Sequence, residues 1–310
     1  MNELDLDETR IARLRALGTL IRHSDTLDPS QASARLKDAE VAVIDGFKLP
    51  VTRFLLESGR DLRLIVLTST AFHMADLAAA SERNIRIANI PGYSTEAVAE
   101  HAIALLFAVV RRITGSDRAM RAAPFQVDPG NKAHRALLGW ELRGRTLGVV
   151  GLGAIGRRIG ELGLGLGMNV VGWNRTPRAI AGMRSLGLDE LLSASDAVSL
   201  NLAVHLETER FISERELALM KPGAVLINTA GGGLVDTDAL YRALSEGRLA
   251  GAGLDVISPW DESNPLLGLK AVVLSPQSAA WTREACAGLA EAVVRTIEAF
   301  AQGSPINLVA

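Results

Sequence analysis

Short runs of β-branched and aliphatic residues recur along the chain: VAVI at 41–44, LRLIVL at 62–67, IRIANI at 85–90, TLGVV at 146–150, NVVGW at 169–173, AVSLNL at 197–202, AVLINT at 224–229, GAGLDV at 251–256 and AVVLS at 271–275. Between them, apolar residues follow a helical period at 30–38, 74–83, 95–113, 154–166, 214–220, 236–246 and 282–302. Strand, helix, strand, repeated, predicts an α/β protein whose parallel sheets are covered on both faces. The strands TLGVV and AVLIN are continuously apolar instead of alternating, as strands buried on both sides are.

The rhythm breaks twice. The long helix predicted over 95–113 is followed by an irregular polar stretch at 122–141, and a fresh strand and helix series starts at Thr146. The chain therefore crosses between domains at about Pro91 to Thr95, and the last helix returns to the first domain. This predicts residues 1–94 with 286–310 as one discontinuous domain and 95–285 as the other. Whether Gly115 to Arg121 extends the long helix is left open by the sequence.

The length of 310 residues also suits two domains. With 48% apolar and 22% charged residues, both can have cores, and the net charge of -2 argues against disorder. Lys and Arg (33) nearly cancel Asp and Glu (35) and aromatics reach only 4%, so neither a phosphate-backbone reader nor a base-stacking surface is expected. No set of His, Cys and acidic residues has metal-ligand spacing. The single cysteine, Cys286, rules out an internal disulfide and is expected in the core of a cytoplasmic protein. The opening residues are acidic with no apolar run after them, unlike a signal peptide. The longest apolar stretch, 97–110, contains Glu100 and His101 and is too short for a bilayer, so no membrane partner is expected either.

Gly151-Leu152-Gly153-Ala154-Ile155-Gly156 places G-x-G-x-x-G directly after TLGVV and at the start of a helix. Gly151 permits the tight turn, Gly153 lets backbone N–H groups approach a pyrophosphate, and Gly156 lets helix and sheet pack closely. The helix N-terminus adds partial positive charge. At the end of the next strand, where an NAD-specific site has Asp or Glu, stand Asn174, Arg175 and Thr176. These offer donors and a cation without repelling a 2′-phosphate, which predicts NADP(H) in preference to NAD(H). Arg175 as a mere solvated loop residue, with mixed coenzyme use, is the competing reading.

The segments IANIPGYSTEAVAEHAIALL at 87–106, LRGRTLGVVGLGAIG at 142–156, LMKPGAVLINTAGGGLVDTDAL at 219–240 and GAGLDV at 251–256 resemble the D-isomer-specific 2-hydroxyacid dehydrogenases, the group of hydroxypyruvate and glyoxylate reductases, phosphoglycerate dehydrogenase and formate dehydrogenase. The similarity runs from about Leu17 to Asn307. It implies flavodoxin-like and Rossmann lobes with an active-site cleft between them, a small-molecule substrate, and a homodimer joined around helix 95–113. It also implies that Asp255 bonds the nicotinamide carboxamide and that Leu202, Ala203, Thr208, Thr229 and Ala230 line the cofactor.

The three residues that carry the family's chemistry are replaced. The Arg position of N-T-A-R-G-G holds Gly231, the acid position five residues beyond Asp255 holds Trp260, and the His position of P-H-x-A-G holds Gln277. Gly231 can neither pair with a substrate carboxylate nor polarise a carbonyl, and Gln277 donates hydrogen bonds but does not titrate. Loss of a general acid removes about 10² to 10⁴ in rate for carbonyl reduction. Asp261 and Glu262 are candidates for a shifted carboxylate. His73, in the bulky loop Thr68 to Met74, is the leading relocated acid or base, although an exposed loop His is an equal reading. That loop's Ala71, Phe72 and Met74 suggest a larger or more apolar substrate, or a partly closed pocket. His205 and Lys48 are weaker candidates, His101 reads as a satisfied interdomain histidine, and His23 and His134 read as solvent-facing. The family's opening strand is also missing, which predicts a first sheet one strand short.

Three functions remain open at this stage. The leading one is an oxidoreductase on a non-standard substrate that needs no strong general acid or brings its own proton. The others are a cofactor-binding sensor without turnover and an ordinary 2-oxo acid reductase with relocated groups.

Overall fold

The computed structural model describes residues 4–25, 28–122, 135 and 137–310. His134 and the greater part of the polar stretch 122–141 lie outside the described residues. The chain divides into two compact units, Met1–Ser94 with Trp281–Ala310, and Thr95–Ala280.

The first unit runs α1 (Glu8–Arg15), α2 (Pro29–Leu36), β1 (Val41–Ile44), α3 (Arg53–Ser58), β2 (Leu64–Leu67), α4 (Leu77–Glu82) and β3 (Arg86–Ala88). Its strands form a parallel sheet of order β1-β2-β3. Every residue of β2 is buried, the middle strand of three having neighbours on both edges. Helices begin where a side chain can take a free amide: Asp28 accepts from Ser30 N and Asp76 from Ala79 N.

The second unit runs α5 (Thr95–Val110), α6 (Ile113–Ala122), β4 (Thr146–Val150), α7 (Ala154–Gly165), β5 (Asn169–Trp173), β6 (Arg184–Ser185), α8 (Leu188–Ala194), β7 (Ala197–Leu200), α9 (Glu214–Leu219), β8 (Val225–Asn228), α10 (Thr237–Ser245), β9 (Gly251–Leu254) and β10 (Val272–Leu274). All seven described strands pair in parallel in the order β10-β9-β8-β7-β4-β5-β6. One apolar cluster lies on each face, with Leu226 and Leu200 in one and Ile227 and Val149 in the other. The continuous hydrophobicity of these strands follows from that double cover. The strand order reverses at β4, with β5 on one side and β7 on the other.

The helix expected over 95–113 ends at Val110 and resumes as α6, which covers the segment left open by the sequence. Trp140 N donates to Val110 O, the carbonyl a continuing helix would use, and Arg112 turns left-handed at φ 54°. The last helix, α11 (Arg283–Ala301), is capped by Thr282, which accepts from Ala285 N. The return to the first unit falls at Trp281, ahead of the expected 286, because the segment enters with the helix cap. Cys286 is exposed, against expectation: the buried face of α11 carries Ala285, Leu289, Ala290, Val293 and Val294, and position 286 points away from it. No helix among the described residues is long and apolar enough to cross a membrane.

Candidate functional site

The turn after β4 is shaped by close approaches that exclude side chains. Gly151 has φ 93°, and a Cβ there would stand 2.5 Å from Asn201 O. A Cβ on Gly156 would stand 1.9 Å from Gly151 O, so α7 sits directly on the turn. Gly153 is exposed, with nothing within 4 Å of its Cβ direction, and no side chain caps the first amides of α7 at Ala154 and Ile155. An open helix N-terminus behind a bare glycine leaves N–H groups free for an anion.

Asn174 is committed on both sides of its amide. Its Oδ1 accepts from Leu152 N at 3.1 Å and its Nδ2 donates to Thr176 O at 2.8 Å, so it braces the glycine turn. Arg175 extends from the same loop and pairs with Glu207 at 3.0 Å.

The ends of β7 and β8 supply polar atoms that face no partner. Asn201 Oδ1 and Thr229 Oγ1 are both buried without a hydrogen bond, a state that costs about 1–3 kcal/mol unless something bonds them. Beside Thr229, Asn228 Oδ1 accepts from Ala230 N and Gly231 N while its Nδ2 donates to Gly231 O at 2.9 Å. This side chain, buried beneath the loop, fixes the course of Thr229 to Gly231. Leu202 packs against the apolar cluster, and Ala203 O accepts from Thr208 Oγ1 at 2.7 Å, which closes the 203–208 turn. In the same turn His205 Nδ1 accepts from Glu207 N at 3.2 Å, so its ring supports the backbone.

Asp255, at the end of β9, is 2% exposed. Its carboxylate accepts from Ser275 Oγ at 2.6 Å, Ser278 N at 2.9 Å and Ala279 N at 3.0 Å, and its carbonyl from Gln277 N at 2.9 Å. His101 on α5 hydrogen-bonds Ser275 Oγ at 2.8 Å, so its partners lie within the second unit. Burial pushes the Asp255 carboxyl upward, but His101, whose Nε2 lies 3.5 Å from it, and the hydrogen bonds from Ser275, Ala279 and Ser278 outweigh that push and hold the group below the usual carboxylate range. The result is a bracket around Gln277, which is exposed and held left-handed at φ 53°.

Trp260 is 55% exposed. Asp261 accepts from Ser263 N and Oγ as a turn cap, which does not suit a relocated acid. His73 belongs to the first unit, exposed and edge-on to Phe47 with ring centroids 6.0 Å apart. Lys48 Nζ lies 3.8 Å from Asp45, and His23 is exposed. No group of three or more His, Cys, Asp or Glu among the described residues is arranged to hold a metal.

The sequence reading missed Asn201, Asn228, Val204 and Glu207. The two asparagines directly follow or end strands, where Asx turns form, and that was the available signal. Val204 carried none. It matters because a Cβ on Gly231 would stand 2.2 Å from Val204 Cγ2.

A parallel sheet that reverses order at a glycine turn, with unpartnered polar atoms at the ends of β7 and β8, defines a dinucleotide-binding Rossmann domain. The family model for the D-isomer specific 2-hydroxyacid dehydrogenase NAD binding domain matches residues 103–279. Glyoxylate reductase of Thermococcus litoralis is 40% identical over 265 residues, covering 84% of this chain and 80% of the relative. Hydroxypyruvate reductase of Blautia hydrogenotrophica is 31% identical, covering 96% and 93%. Among solved structures, an acyclic imino acid reductase in complex with NADPH and D-Arg superposes with TM-score 0.91 at 32% identity, covering 98% of this chain and 96% of that one. D-lactate dehydrogenase of Aquifex aeolicus with NAD and lactic acid gives TM-score 0.84 at 31% identity, covering 97% and 95%. The chain belongs to the D-isomer specific 2-hydroxyacid dehydrogenase family, and it is an oxidoreductase built for a nicotinamide dinucleotide.

Proposed function

We propose that the protein is an NADPH-preferring reductase whose substrate is a protonated carbon–nitrogen double bond, an iminium, in place of the 2-oxo group of an ordinary family substrate. The observation that carries this reading is the filling of the Arg position: Val204 occupies the space a side chain at Gly231 would need.

The glycine turn and the first amides of α7 hold the pyrophosphate, and Arg175 with Thr176 meets the adenosine end. Asn201 Oδ1 and Thr229 Oγ1, which lack partners, bond the nicotinamide end. The bound dinucleotide supplies a hydride. Reduction of a neutral ketone also requires a proton at oxygen, which a His would give; Gln277 has none to give. An iminium arrives already protonated, so hydride addition at carbon leaves a neutral amine and no acid acts in that step. Gln277, fixed by Asp255, orients the acceptor through its amide. Trp260 adds apolar area and one N–H donor. The likeness to a reductase solved with NADPH and D-Arg supports this reading.

The second reading, plain 2-oxo acid reduction, has the names of the relatives in its favour. The two separate in one assay. NADPH consumption is followed with glyoxylate, hydroxypyruvate and larger 2-oxo acids, each with and without ammonia or a primary amine. We expect turnover that requires the amine. Equal rates without amine would establish the second reading, and coenzyme binding without any turnover would point to a non-catalytic sensor.

A further inference from the structure

We propose that Glu207 sets the coenzyme selectivity of this protein by holding Arg175 in an ion pair across the glycine turn, a pair that a 2′-phosphate must displace. In the sheet, β4 lies between β5 and β7. Arg175 follows β5 and Glu207 lies in the loop after β7, so a contact between them at 3.0 Å spans the end of β4, where Gly151 and Gly153 turn. Their meeting is built into the fold. Trp173, the last residue of β5, packs against Phe211, in the loop after β7, with ring centroids 5.4 Å apart and planes tilted by 35°, so the two loops are in contact. The backbone of Glu207 is fixed by His205 Nδ1, and Thr208 locks the same turn through Ala203 O.

The pair is poised to open. The side chains are 79% and 75% exposed, a setting in which an ion pair adds little and salt screens it. A 2′-phosphate offers the guanidinium a doubly charged, multidentate partner in place of one carboxylate. Glu207 opposes that exchange twice, by competing for Arg175 and by repelling the incoming anion. A coenzyme without the phosphate makes no such demand. The NADPH to NADH ratio is therefore a difference between two charges, and Glu207 is the opposing one.

This inference rests on the reading of Arg175 as the 2′-phosphate partner, and the test separates the two. Calorimetric titrations of the whole protein with NADPH and with NADH are compared for wild type, Arg175→Ala, Glu207→Gln and the double variant. Both positions are exposed, so the fold is not at risk. We expect Glu207→Gln to tighten NADPH about two- to fivefold, the weight of one exposed ion pair, with NADH unchanged. The gain should vanish in the Arg175→Ala background. If Glu207→Gln tightens both coenzymes alike, or neither, while Arg175→Ala still weakens NADPH, the role of Glu207 is refuted and the coenzyme reading stands. If Arg175→Ala leaves NADPH binding unchanged, both fall.

Discussion

Val204 and Gly231 are a fitted pair: the valine Cγ2 lies 2.2 Å from where any Cβ at position 231 would stand. The backbone at Gly231 is extended, at φ -174°, a conformation open to every residue, so the exclusion is purely steric. The glycine at position 231 is therefore tied to a second residue.

Placing Arg at position 231 alone should accordingly damage the protein. Gly231→Arg is expected to cost about 1–3 kcal/mol, as overpacking does, measured by denaturant unfolding. Adding Val204→Ala should recover most of that loss. Single and double variants of equal stability would show that Val204 yields freely.

Gly156→Ala should be the more severe change, because the added methyl lands 1.9 Å from a backbone carbonyl, that of Gly151. The helix must lift from the turn. Coenzyme affinity is expected to fall by about tenfold or more, the equivalent of about 1.4 kcal/mol, together with the melting temperature. Unchanged coenzyme binding would mean that the turn does not position the pyrophosphate.

Asp255 ties the stability of the second unit to pH. Its folded carboxyl titrates below the ordinary range, so its contribution is fully present above the unfolded value of about 3.9 and is lost as pH falls through the folded value. Asp255→Asn, which sets an amide against backbone N–H donors, should cost about 1–3 kcal/mol near neutral pH. That difference from wild type should narrow on acidification below about pH 4. A gap independent of pH in urea unfolding would contradict the assignment.

Gln277 stands left-handed at φ 53° without being glycine, at a cost of about 1–2 kcal/mol. Gln277→Gly relieves that strain but adds chain entropy of about 0.5–1 kcal/mol, so stability should hold or rise slightly. Turnover with the amine-dependent substrates should fall at the same time. A variant that keeps full kcat would remove Gln277 from the active site.

Strands such as β4 and β5 were legible in the chain because they are short and largely apolar on both faces, and they fall at 146–150 and 169–173 as their hydrophobic runs predict. The glycine turn was legible too, since Gly151 and Gly156 stand where no Cβ fits and the spacing records it. The short elements α3, α8 and β6 were not, being too brief to show a period; β6 is two exposed polar residues held only by pairing with β5. The family resemblance of the motifs singled out positions 231, 260 and 277, where Gly231, Trp260 and Gln277 stand. Their surroundings came only with the fold. Val204 against Gly231, Glu207 against Arg175 and the bracket of Asp255 around Gln277 join residues 20 or more positions apart. Periodicity is written by the burial of one element at a time, and such pairs are set by which loops the sheet order brings side by side.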